Sequence, residues 1–258
     1  MPMKIPIPAK RFCAIYFLSL ALIFLSCATF PGPDDIRQAE AHYKLGYSYL
    51  NNNRLNEAYV EFQKALQFNP RHKESLNYLG YISTRFKDYD KAVAYYKRAI
   101  AADPDYAEAM NNLGVAYLDI GKWDEAIKHF ETALKNPIYL TPEKAYSNMG
   151  YAYYKKGDYQ RAGDAFREAL MRNPVFYIAN YYLGLVYVKL GDDESAIEEF
   201  KKAVGLMPEY MDAHWGLANA YLRSGSRDNA LEHFKIIAAK DTDIKRSQEA
   251  LEYIELLK

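Results

Sequence analysis

The chain has 258 residues, half of them hydrophobic, with 33 basic side chains against 33 acidic. That length suits one large domain or two small ones, and the even charge balance gives no electrostatic reason to expect nucleic acid as a partner. Twenty-five tyrosines are an excess that the fold or the function must account for.

Residues 1–26 read as an export signal. Lys4, Lys10 and Arg11 form a basic leader, Phe12–Ser26 is an apolar run of 15 residues, and Cys27 follows a small residue. The run is short for a bilayer span, which takes about 20 residues. Phe24-Leu25-Ser26-Cys27 resembles a bacterial lipobox, with Phe where that pattern prefers Leu and Leu where it prefers a small residue. The resemblance implies that Cys27 becomes the first residue and carries acyl chains that hold it to a membrane. An uncleaved anchor and an ordinary secreted protein are the alternatives. Cys13, the other cysteine, lies in the leader, so the exported part holds no disulfide. Ala28 is not the aspartate that retains enterobacterial lipoproteins at the inner membrane, so the resemblance implies the periplasmic face of the outer membrane. Residues 27–38, rich in Pro and Gly up to Asp35, form a short tether.

From residue 39 the sequence aligns with itself at a period of 34, in units 39–72, 73–106, 107–140, 143–176, 177–210 and 211–244. Position 7 is Leu45, Leu79, Leu113, Met149, Leu183 and Leu217; position 8 is glycine except for Ala218. Position 20 is always alanine, and position 24 is always aromatic, from Phe62 and Tyr96 to Phe234. The spacings 4, 7, 8, 11 and 20, 24, 27 each trace a helical stripe, so every unit is two amphipathic helices packed face to face. Asn69-Pro70, Asp103-Pro104 and Asn173-Pro174 place a capping side chain and a proline at the start of the following helix. The pattern resembles the tetratricopeptide repeat over residues 39–244. The expected fold is all-α: a right-handed superhelical solenoid of six such repeats. A capping helix over 245–258 closes it, facing the stack with Ile244, Leu251, Ile254 and Leu257.

Between the third and fourth units the count slips by two residues. Pro137 ends a helix one position early, and Thr141-Pro142 starts the next, on a shortened helix, with a capping hydroxyl and a proline. The loop holds Ile138, Tyr139 and Leu140 and divides the array into three units plus three.

No catalytic constellation is visible, so an enzyme is not expected. Four of the five histidines follow the repeat register: His42 and His214 share position 4, and His129 and His233 share position 23. Equivalent positions in distant repeats do not converge, so neither a metal nor another cofactor is expected. The concave surface remains. The stripe at positions 2, 5, 6, 9, 12 and 13 of the first helices holds Tyr43, Tyr47, Tyr78, Tyr81, Tyr151, Tyr182 and Trp215 beside Asn77, Asn111, Asn112 and Asn148. Aromatics offer wide contact at small entropy cost, and asparagine amides can bind an extended backbone, so the stripe is a candidate groove for a segment of another protein. Some of these rings instead pack between adjacent first helices. Acidic Glu40, Glu74 and Glu108 at position 2 and basic residues at position 13 match what the helix dipole favours. The carboxylate clamp of chaperone-binding repeat proteins is matched at Asn112 and Lys144 but broken at Asn77, Tyr81 and Asn148.

Six repeats, a lipobox and the junction KNPIYLTPEKAYSNMG together resemble the type IV pilus pilotins. The resemblance implies an assembly factor whose groove holds a secretin subunit, with membrane attachment through the acyl chains on Cys27. A general periplasmic scaffold, serving peptidoglycan hydrolases or outer-membrane barrel assembly, is the alternative.

Overall fold

A computed structural model describes residues 31–257; the export signal and Cys27 lie outside them. The described residues form thirteen helices and no strand. They are α1 (Pro33–Asn51), α2 (Leu55–Phe68), α3 (Lys73–Arg85), α4 (Tyr89–Ala102), α5 (Ala107–Asp119), α6 (Trp123–Leu134) and α7 (Pro142–Lys156). Then follow α8 (Tyr159–Arg172), α9 (Tyr177–Leu190), α10 (Asp193–Leu206), α11 (Met211–Arg223), α12 (Arg227–Lys240) and α13 (Ile244–Leu257). Among the described residues no helix is long and apolar enough to cross a membrane.

Each helix packs on the next, so the chain is a row of hairpins. From α3 to α11, successive odd-numbered helices also touch one another, whereas the even-numbered helices are splayed apart. One layer is therefore shorter than the other. The stack curves as a right-handed superhelix, with the odd-numbered helices on the concave side.

The residue pattern explains the hairpin. The aromatic at position 24 lies flat under the glycine at position 8: a Cβ added at Gly114 would meet the Phe130 ring at 2.5 Å, and one at Gly80 the Tyr96 ring at 2.6 Å. The alanines at position 20 and the aromatics beneath the glycines are buried throughout. Every hairpin turns through a left-handed residue at position 15: Gly121, Gly157, Gly191 and Gly225 in four units, Asn53 and Lys87 in the other two. Asp88, Asp158 and Asp192 follow as N-caps, their carboxylates accepting from the backbone N–H groups of Lys91, Arg161 and Ser195.

Several expectations need correction. The tether is shorter than 27–38, because α1 begins at Pro33, where proline at the first turn, acidic Asp34 and Asp35, and a 3.0 Å bond from Gly32 N–H to Asp35 make a good helix start. The Asn and Asp before each proline do not cap the following helix. Their side chains accept from the backbone two residues on, Asn69 from Arg71 at 3.1 Å and Asp103 from Asp105 at 3.0 Å, and so close the loop itself. Leu45 is exposed, unlike Leu79 or Leu113, because position 7 packs on the preceding unit and no repeat precedes the first. In the cap, Ala250 and Ile254 are buried and Tyr253 and Leu257 pack against the last hairpin, while Ile244 and Leu251 point outward.

At the junction, α7 is not shortened: it has 15 residues against 13 in α5. Thr141 makes no capping bond, and Pro142 alone sets the first turn. Nor does the slip break the array. One core cluster runs from Tyr96 through Tyr117, Phe130, Tyr153 and Phe166 to Val186, straight across it.

Candidate functional site: the concave face

The tyrosines of the groove are first of all links between units. Tyr78 stacks on Phe62 of the preceding repeat (5.3 Å between centroids, 11° between planes), and Tyr182 stacks on Phe166 in the same way (5.7 Å, 7°). Trp215 stands edge-on to Phe234 at 5.6 Å and to Tyr253 of the cap at 6.0 Å. One face or edge of each ring is thus spent on the core, and each of the three is half-buried.

Around these links two aromatic patches form. Tyr43, Tyr47 and Tyr78 meet at 5.6 to 6.3 Å on α1 and α3, with Tyr47 exposed. Further along, Tyr151, Tyr182, Tyr181, Tyr210 and Tyr177 run ring to ring at 5.1 to 5.2 Å. Burial, then neighbouring phenols and carboxylates, pushes the Tyr43 hydroxyl up to about 12; burial first, then Asp212 for Tyr181 and Tyr181 itself for Tyr210, raises those two hydroxyls further. These three hydroxyls therefore stay protonated at physiological pH. Tyr81 is set apart, its hydroxyl accepting from Arg85 at 3.0 Å.

Between the patches lies an asparagine ladder. Asn148 donates to Asn111 at 3.2 Å, Asn111 to Asn112 at 3.4 Å, Asn112 to Asn77 at 3.0 Å, and Asn77 to the Tyr106 hydroxyl at 3.5 Å. Asn77 is 5 % exposed and Asn111 7 %, so these two hold α3, α5 and α7 together rather than offering amides to a ligand. Asn112 and Asn148 remain at the surface of the ladder.

Beside Asn148 opens a cavity of about 420 Å³ between α5 and α7, walled by Val115, Leu118, Trp123 and Tyr151, with Asp119 and Lys155 completing its lining. Sequence reasoning singled out Asn148 and Tyr151, and Lys155 as one of the basic residues at position 13, but missed the rest. The signal was present: Val115, Leu118 and Asp119 occupy positions 9, 12 and 13 of the third unit, the same stripe read elsewhere for its tyrosines.

Positions 4 and 23 of one unit face each other across the hairpin, which the register alone did not reveal. His42 meets Glu61 at 2.6 Å, Asn180 donates to Glu199 at 2.8 Å, and His214 meets His233 at 2.9 Å. Since His214 Nε2 donates to the Pro208 carbonyl at 3.0 Å, its Nδ1 accepts from His233 when the pair is neutral. No third ligating group joins the pair among the described residues.

A curved stack of helical hairpins with an aromatic and amide concave face defines a repeat scaffold that binds other proteins. Sequence profiles of the tetratricopeptide repeat match residues 39–72, 85–141 and 147–210, and the chain belongs to the tetratricopeptide-repeat family, whose members are generally scaffolds rather than catalysts. Among solved structures, PilW, described as a widely conserved type IV pilus biogenesis factor, superposes with a TM-score of 0.77 at 23 % identity, over 83 % of this chain and 98 % of its own. PilF of Pseudomonas aeruginosa gives 0.76 at 17 % identity, over 85 % and 99 %. MamA gives 0.54 at 31 % identity, over 69 % and 95 %. At their identities, PilW and PilF are likenesses of fold. No curated protein matches in sequence.

Proposed function

We propose that this protein is a lipid-anchored scaffold at the periplasmic face of the outer membrane whose concave face holds a secretin subunit and so assists secretin assembly for type IV pili. The observation that carries the reading is the groove itself, two aromatic patches joined by an asparagine-bearing strip, which suits an extended polypeptide segment. The likeness to PilW and PilF along nearly their whole length, the junction insertion and the sequence around Cys27 support the pilus assignment. Tethering scaffold and subunit to one surface raises their effective concentration, and assembly follows by mass action.

A photoreactive residue in place of exposed Tyr47 is expected to crosslink a secretin subunit in cells, and loss of the protein is expected to deplete secretin multimers. Unchanged multimers would refute the assignment, and a crosslinked peptidoglycan hydrolase or barrel-assembly protein would replace it with the general scaffold. The mass of the mature N-terminus tests the anchor separately: an unmodified Cys27 rules it out.

A further inference from the structure

Because successive helices run antiparallel, the start of α1 and every connection from one hairpin to the next lie along one edge of the stack. The connections are tied to one another there. Lys73 reaches Asp103 at 2.6 Å, Asn136 Nδ2 donates to the Asp105 carbonyl at 2.6 Å, and Arg246 pairs with Asp212.

This edge carries most of the highly exposed aliphatic side chains of the described residues. Leu140 is 84 % exposed, Ile138 79 % and Ile244 75 %, with Val175 between them and Ile36 in the first turn of α1. On the opposite edge Phe86, Ile120 and Leu190 reach at most 48 %, and Leu256, at the far end of α13, stands alone among the described residues at 78 %. At the junction, Tyr139 turns inward among Ala107, Met110, Ala133 and Ala145 and so holds Ile138 and Leu140 outward on either side of it.

We propose that this edge is a lipid-contacting surface, with Ile138 and Leu140 seated at the boundary between headgroups and acyl chains. The occupant follows from where the chain enters. The segment that carries the apolar run Phe12–Ser26 and Cys27 joins the fold at Pro33, on this same edge. Five residues lie between Cys27 and Pro33, six steps of chain with a reach of about 20 Å when fully extended. An acylated Cys27 thus keeps the Pro33 end of the edge within that distance of the bilayer, and exposed aliphatics along the rest gain by leaving water once the edge lies down on it. Charges along the edge are of both signs, Lys135, Lys144 and Arg71 against Asp34, Asp105 and Glu209, so the surface suits zwitterionic headgroups rather than strongly anionic ones. The inference rests on the lipid-anchor reading and adds an orientation to it: the groove opens sideways, parallel to the membrane.

The test uses the full-length protein reconstituted in vesicles of phosphatidylethanolamine and phosphatidylcholine. A diazirine-bearing residue replaces Leu140, Ile244 or, on the opposite edge, Phe86. Lipid adducts several-fold more abundant at positions 140 and 244 than at 86, insensitive to salt, are the expected result. If intact mass shows an acylated Cys27 and position 140 is labelled no more than 86, the orientation is overturned while the anchor stands. An unacylated Cys27 overturns both. Leu140 is so exposed that its replacement leaves the fold intact, and the adducts are read in folded protein.

Discussion

Lys87 occupies the turn position that four of the six hairpins give to glycine, with φ at 60°. A side chain with a Cβ pays for this conformation on the order of 1 kcal/mol, which glycine does not. Lys87→Gly is therefore expected to stabilise the protein by about 1 kcal/mol, visible as a raised urea midpoint with an unchanged slope; a lower midpoint would show that the Lys87 side chain matters more than its backbone. A second residue-scale effect is set by protonation. Burial, then the neighbouring His214, holds the His233 pKa below its ordinary 6.5, and burial with Lys128 and Lys97 does the same at His129. These two imidazoles stay neutral in the fold while the unfolded chain takes up protons, so stability is full above 6.5 and falls as pH drops through that value. The carboxylates with lowered pKa, such as Asp158 and Asp241, add their own loss only nearer their ordinary 3.8. Urea titrations between these windows are expected to show a decline that the double variant His129→Gln, His233→Gln flattens; an equal decline in that variant would place the effect elsewhere.

At the scale of the element, the junction separates packing from exposure within three consecutive residues. Tyr139 is buried, and its hydroxyl is pushed up to about 12 by that burial, while its neighbours Ile138 and Leu140 face solvent. Tyr139→Ala is expected to cost about 3 kcal/mol, the scale of emptying a buried aromatic site, whereas Leu140→Ser should stay within about 0.5 kcal/mol. Equal effects on the denaturation midpoint would mean that the loop packs differently. The helices and hairpins were legible in the period of 34, because Gly at 8, Ala at 20 and an aromatic at 24 leave the two axes little choice. The inward turn of Tyr139 was legible too, in a signal passed over: Asn136-Pro137-Ile138-Tyr139 repeats the spacing of Asn69-Pro70-Arg71-His72 and Asp103-Pro104-Asp105-Tyr106, whose last residues are also drawn inward. The groove was less legible. Whether Tyr78 faces a partner or stacks on Phe62, and whether Asn77 is free or buried in a ladder, depends on how one unit sits on the next, and a single repeat's periodicity carries no such information.

For the whole molecule, the stack works as a one-dimensional array in which each unit is stabilised by its neighbours. Its two ends are unlike. At the first unit Leu45 is left exposed, whereas α13 covers the last hairpin, stacking Tyr253 on Phe234 at 4.6 Å and burying Ala250 and Ile254 against Ala230 and Ile237. Arg246 ties the cap further by pairing with Asp212 on α11 and Asp241 after α12. Ending the chain after Lys240 would strip this cover and leave Phe234 with one face in water. Nearest-neighbour coupling then predicts a graded loss: amide exchange accelerates most in α11 and α12, less in α9 and α10, and not measurably in α1 to α4. The aromatic patch on α1 and α3 would survive in the truncated protein, and so would whatever partner contact it makes. Hydrogen-exchange mass spectrometry on both lengths of the chain reads this directly. Uniform acceleration from α1 to α12 would show that the core cluster running from Tyr96 to Val186 couples the units into a single cooperative block, and that the cap governs the stability of all of it.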